Sequence, residues 1–101
     1  HHAKVGNACA FYSQAVVEHH CVIKDNVYMG PGAKTTADVV IGANTYVGVN
    51  ASFIPHVVVA PNSTVAAGCV VTKSHEESGL IAGVPGEFKK KSELPLAVNP
   101  K

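Results

Sequence analysis

The sequence has no tryptophan and only three phenylalanines and three tyrosines in 101 residues. A core built on large rings is therefore excluded, although 47% of the residues are hydrophobic. That share is mostly Val, Ala and Ile, which suit short strands and narrow interiors. Charge of one sign is lacking too: eight basic against seven acidic residues give a net charge of +1. Nucleic-acid or membrane-surface partners thus have no electrostatic support. No apolar run reaches the length of a membrane span or resembles a signal peptide. Three cysteines, with no CxxC and no adjacent pair, make neither a disulfide framework nor a zinc site. The expected compartment is accordingly the reducing cytoplasm. A chain this short holds at most one domain, and a conventional core would be marginal. His1 and His2 are given no functional weight, since a tag remnant would look the same.

What the sequence does have is a period of six. Steps of six from Val5 give Phe11, Val17, Ile23, Met29, Thr35, Ile41, Val47, Phe53, Val59, Val65 and Val71, all apolar except Thr35. Four residues after each stands Cys9, Ala15, Cys21, Val27, Ala33, Val39, Thr45, Ala51, Val57, Ser63, Cys69 or His75, all small or β-branched except the last. A large apolar residue followed four later by a small one describes a short strand, a turn and another strand. Three hexads close one triangular coil, so residues 5–76 predict an all-β fold, a left-handed parallel β-helix of about four coils. Residues 77–101 predict a short C-terminal extension: a final strand, a Gly83-Val84-Pro85-Gly86 turn and a basic tail through Lys89, Lys90 and Lys91.

Residues one coil apart should stack at strand spacing. Val5, Ile23, Ile41 and Val59 then form one interior ladder, and Phe11, Met29, Val47 and Val65 a second. The cysteines fall on three different ladders as small buried hydrophobes. Thr35 reads as a tolerated core threonine. Asn44 and Asn50 fall at turns where left-handed backbone angles favour Asn. The first coil offers its ladder to nothing upstream, and solenoids cap such ends. A further domain or another molecule is expected over it.

The segments VVEHHCVIKDNVYMGPGA, VVIGANTYVGVNASFIP, AAGCVVTK and IAGVPGEFKK together resemble the hexapeptide acyltransferases, and more narrowly the PglD/NeuD-type sugar acetyltransferases. The resemblance runs from Val5 to about Lys90. It implies a homotrimer with acetyl-CoA along the groove between neighbouring β-helices, and a histidine acting as general base on an amine or hydroxyl of a nucleotide-linked sugar. By motif position that base is His19. The family usually has an acidic or small polar residue next, where this chain has His20. A second histidine usually follows nine residues after the base, and Tyr28 stands there. The family usually also begins with a Rossmann-like domain for the nucleotide-sugar, which this sequence does not contain. For acetyl-CoA the resemblance implies Gly48, Ala66 and Ala67, then Gly83 and Val84 at the nucleotide end, with Lys90 near the phosphates.

Direct acyl transfer needs a base, two aligned substrates and a donor for the developing oxyanion. Imidazole suits the first task because its ordinary pKa is near neutrality. His19 falls in an outward turn, where a solvated histidine is the bland reading. Glu18 orients its ring only if the backbone bends, because adjacent strand residues face opposite ways. A metal reading competes, since His20, Asp38 and His56 share one column and suit zinc. Such columns also collect polar residues for solubility alone, and no metal is expected. The alternative from another class is a non-catalytic β-helix trimer serving assembly or binding.

Overall fold

The computed structural model describes residues 3–91. His1-His2 and the tail from Ser92 onward lie outside the described residues. Twelve two-residue strands follow one another at six-residue intervals: β1 (Lys4–Val5), β2 (Ala10–Phe11), β3 (Val16–Val17), β4 (Val22–Ile23), β5 (Tyr28–Met29), β6 (Lys34–Thr35), β7 (Val40–Ile41), β8 (Tyr46–Val47), β9 (Ser52–Phe53), β10 (Val58–Val59), β11 (Thr64–Val65) and β12 (Val70–Val71). Two longer strands follow, β13 (Gly79–Ala82) and β14 (Glu87–Lys91).

Among β1–β12, every third strand belongs to the same sheet. The first sheet runs β1-β4-β7-β10, the second β2-β5-β8-β11-β13-β14, and the third β3-β6-β9-β12. Among β1–β12 pairing is parallel and each residue lies over the one eighteen positions on, as Val22 over Val40. Amides of one coil donate to carbonyls of the next, for example Val22 N to Val39 O at 2.9 Å. The fold is an all-β left-handed β-helix of about four coils, as the hexad register predicts.

The same register fixes the core. Ile23, Ile41 and Val59 from the first sheet, Met29, Val47 and Val65 from the second, and Phe53 and Val71 from the third are all sealed from solvent. Thr35 is equally buried, and its hydroxyl meets the Cys21 thiol at 3.3 Å. Cys21 also donates to Thr36 O, so that buried thiol is a satisfied packing group. Cys69 is buried as expected, and burial raises its pKa. Cys9, in the first coil, is only half-buried. Val5 and Phe11 there are 49% and 40% exposed, whereas Ile23 and Met29 directly above them are sealed.

The turns explain how three flat sheets close. From Ala8 to Gly68, every sixth residue has a positive φ: Ala8, Gln14, His20, Asn26, Gly32, Asp38, Asn44, Asn50, His56, Asn62 and Gly68. Each is the left-handed residue that bends the chain from one sheet to the next. Asn and Gly hold six of these eleven positions, in keeping with their tolerance of that region. Stacking makes the turns into columns, and Asn26 Nδ2 donates to Asn44 Oδ1 at 2.9 Å along one of them.

The C-terminal extension departs from the sequence reading in two ways. The last coil is shorter by two residues: Val59 bridges His75 and Thr64 pairs with Leu80, each sixteen on. His75 thus ends the ladder of Ile23, Ile41 and Val59. Secondly, Lys89–Lys91, expected to begin a tail, lie in β14. That strand pairs antiparallel with β13, Leu80 against Lys90. The hairpin forms because Gly83-Val84-Pro85-Gly86 turns the chain back on itself.

Candidate functional site: two corners of the coil

Three corners join the three sheets, and the candidate residues gather at two of them. The first lies between the third sheet and the first, where Glu18, His19 and His20 pass from β3 to β4. All three side chains are exposed. His20 has φ 61, so this turn bends sharply at the second histidine. The bend brings two consecutive rings together: Nδ1 of His19 lies 2.9 Å from Nδ1 of His20, with the rings edge-on at 87°. One ring must donate and the other accept.

Among the described residues, no hydrogen bond joins Glu18 to His19. The backbone amide of Glu18 donates to Thr35 O, which leaves it in the strand pattern. The ring that His19 touches is that of His20. One coil further, Asp38 Oδ2 lies 3.5 Å from His56 Nδ1 in an exposed pair. Among the described residues, no cluster of three or more His, Cys, Asp or Glu side chains is arranged to hold a metal ion. The shared column of His20, Asp38 and His56 is a register fact without ligand geometry.

The second corner lies between the second sheet and the third. Gly48 follows β8 there, and the Ala66-Ala67 peptide lies directly over it. A Cβ on Gly48 would stand 2.6 Å from the Ala67 amide nitrogen. Above them, Ala66 N donates to Ile81 O at 2.9 Å and Val70 N to Gly83 O at 3.2 Å. Gly48, Ala66, Ala67 and Gly83 therefore form one small-residue column, and Val84 projects from its top, 73% exposed. Lys90 stands apart from the column, across the hairpin in β14. The structure brings together five of the six residues proposed for the cofactor.

Tyr28 borders this second corner rather than the first. It lies on the outward side of β5, its ring stacked on Tyr46 with centroids 4.5 Å apart and planes at 11°. Tyr12 packs on it at 5.0 Å. Desolvation, then the neighbouring Tyr46 and Tyr12 phenols and a hydrogen bond with Tyr46, hold its pKa above the ordinary value. At neutral pH it is a neutral O–H group, able to donate but not to act as a base. The tyrosine ladder escaped the sequence reading, although the interval between Tyr28 and Tyr46 is one full coil and was there to be found.

Within one chain the corners do not meet. His19 and Tyr28 are separated by the whole first sheet, since the chain crosses β4 and a further turn between them. No helix among the described residues is long and apolar enough to cross a membrane.

Residues 38–73 match the bacterial transferase hexapeptide family, whose profile is described as six repeats. In fold the chain is similar to perosamine N-acetyltransferase from Caulobacter crescentus, solved as a histidine-to-asparagine mutant with CoA and GDP-perosamine. Identity is 27%, the TM-score is 0.81, and the match covers 88% of this chain and 42% of that one. A histidine-to-alanine mutant of GDP-perosamine N-acetyltransferase from the same organism, also with CoA and GDP-perosamine, gives 28% identity, a TM-score of 0.80 and the same coverages of 88% and 42%. The acetyltransferase domain of PglB from Neisseria gonorrhoeae, solved with acetyl coenzyme A, matches at 22% identity and a TM-score of 0.68. That match covers 86% of this chain and 51% of the domain, and shares the fold. The chain thus spans under half the length of the perosamine enzymes it matches. It carries the bacterial transferase hexapeptide repeat on a left-handed β-helix, and is similar to the hexapeptide-repeat acyltransferases.

Proposed function

We propose that this chain is the catalytic β-helix of an acetyltransferase that moves the acetyl group of acetyl-CoA to an amino group of a sugar carried on a nucleotide. The observation that carries this reading is the likeness over 88% of the chain to N-acetyltransferases holding CoA and GDP-perosamine. An amine acceptor is preferred over a hydroxyl for the same reason.

His19 is the base. Its exposed imidazole takes the proton from the acceptor nitrogen as that nitrogen attacks the thioester carbon. The new C–N bond forms, the C–S bond breaks, and CoA leaves as the thiol once the sulfur is protonated. The neutral Tyr28 phenol, at the position of the family's second histidine, supplies a hydrogen bond to the acyl oxygen as negative charge develops there. Gly48, Ala66 and Ala67 bring bare backbone close to the extended arm of CoA, and Gly83 and Val84 border its nucleotide end. Lys90 supplies a positive charge for the phosphates. The acetyl group and phosphates need no resident metal in this scheme.

Because the His19 corner and the glycine-alanine column lie on different corners of one coil, the site needs two chains. A cyclic homotrimer supplies this, each subunit offering its histidine corner to the next subunit's column. Acetyl-CoA should raise the melting temperature of the chain by mass action, in a concentration-dependent way. No shift at millimolar acetyl-CoA, or a monomer by light scattering, would remove the reading in favour of a non-catalytic module.

A further inference from the structure

We propose that His20 is a positioning residue, whose Nδ1 accepts the Nδ1–H of His19 and so sets His19 in the tautomer that can act as a base. This rests on the reading of His19 as the base of acetyl transfer.

The two Nδ1 atoms are 2.9 Å apart. At that distance one ring carries its proton on Nδ1 and the other has a lone pair there. If His20 were the donor, neutral His19 would carry its own proton on Nε2 and would have no nitrogen left to accept one. With His19 as donor, its Nε2 holds the lone pair. Only the second arrangement gives a base, and it makes His20 Nδ1 the acceptor that fixes the ring. An orienting acceptor behind a catalytic imidazole does the same work whether it is a carboxylate or a second imidazole.

The backbone makes the contact possible. His20 sits at φ 61, in a column that continues with Asp38 at φ 62 and His56 at φ 71. Here the same bend swings the His20 ring onto that of His19, whereas consecutive strand residues would diverge. The neighbours that bear on titration by register are Glu18 beside the pair in the chain and Asp38 one coil on, with Asp38 ion-paired to His56.

The full chain is compared as wild type, His20→Gly and His20→Asp, both replacements being compatible with a left-handed backbone. Nitrogen-15 NMR reads the His19 tautomer at a pH where the rings are neutral. The proton should reside on Nδ1 of His19 in wild type and in His20→Asp, and shift towards Nε2 in His20→Gly. In acetyl transfer from acetyl-CoA to a GDP-linked amino sugar, His20→Gly should lower kcat roughly 10- to 100-fold and leave KM for acetyl-CoA unchanged. His20→Asp should recover kcat and move the acid limb to higher pH, because a carboxylate stabilises the imidazolium more than a neutral ring does. An Nε2–H tautomer at wild-type His19, or an unaltered kcat in His20→Gly, would overturn the proposal. Should wild type transfer no acetyl group, the functional reading itself fails, and the NMR result alone decides whether His20 sets the tautomer.

Discussion

Gly48 lies against the backbone of Ala67 so closely that a Cβ at position 48 would come within 2.9 Å of the Ala67 Cα. The contact joins two consecutive coils at the corner proposed for acetyl-CoA. Nothing flexible faces the added atom, because the nearest neighbours are backbone. Gly48→Ala should therefore push the coils apart and cost about 1–3 kcal/mol, read as a lower melting temperature. Acetyl-CoA binding should weaken with it, since the column it displaces is the proposed binding surface. An unchanged melting temperature would mean that the corner opens without cost.

The left-handed columns offer a stabilising change. Ala8 occupies such a position with φ 59, in the column where Asn26 donates to Asn44. Asparagine tolerates this backbone and can extend the ladder by one rung. Ala8→Asn should raise stability by about 1 kcal/mol, measured by denaturant or thermal unfolding. A loss of stability would show that the first coil lacks the register given to it.

Stability should depend on pH through His75. The residue is 6% exposed, and its Nε2 has no hydrogen-bond partner among the described residues. Desolvation, then the charge of Lys73, lowers its pKa. The unfolded chain has an ordinary histidine near 6.5, so it binds a proton more readily than the folded chain does. The His75 contribution is fully present above about 6.5 and falls as pH drops into the window beneath that value. His75→Leu should flatten this part of the stability–pH profile. An identical slope in the variant would place the pH dependence on other groups.

Much of this was legible in the sequence because the side-chain pattern is strictly periodic. The interior ladders of Ile23, Ile41 and Val59 follow from counting six, and so do the left-handed places of Asn44 and Asn50. The small residues Gly48, Ala66 and Ala67 were named through resemblance, and the register then stacks them. What was not legible lies where periodicity stops or where a turn sets direction. The shortened last coil moves His75 onto the bridge with Val59, a slip of two residues that no hexad count contains. Lys89–Lys91 become strand because β13 offers them an edge. The contact of His19 with His20 depends on the φ of His20, and alternation along a strand predicts the opposite outcome for neighbours. The ring at position 20, a departure from the family pattern, is the one that His19 touches.

The most direct measurement is acetyl transfer from acetyl-CoA to a nucleotide-linked amino sugar, followed by release of the CoA thiol, in wild type and His19→Ala. Position 19 is exposed and in a turn, so the variant should keep its fold and its trimer by light scattering. Wild type should release CoA only when acceptor is present, and His19→Ala should be slower by about 100-fold or more. Equal rates in the two proteins, or acceptor-independent release, would contradict the assignment of this chain as an acetyltransferase with His19 as its base.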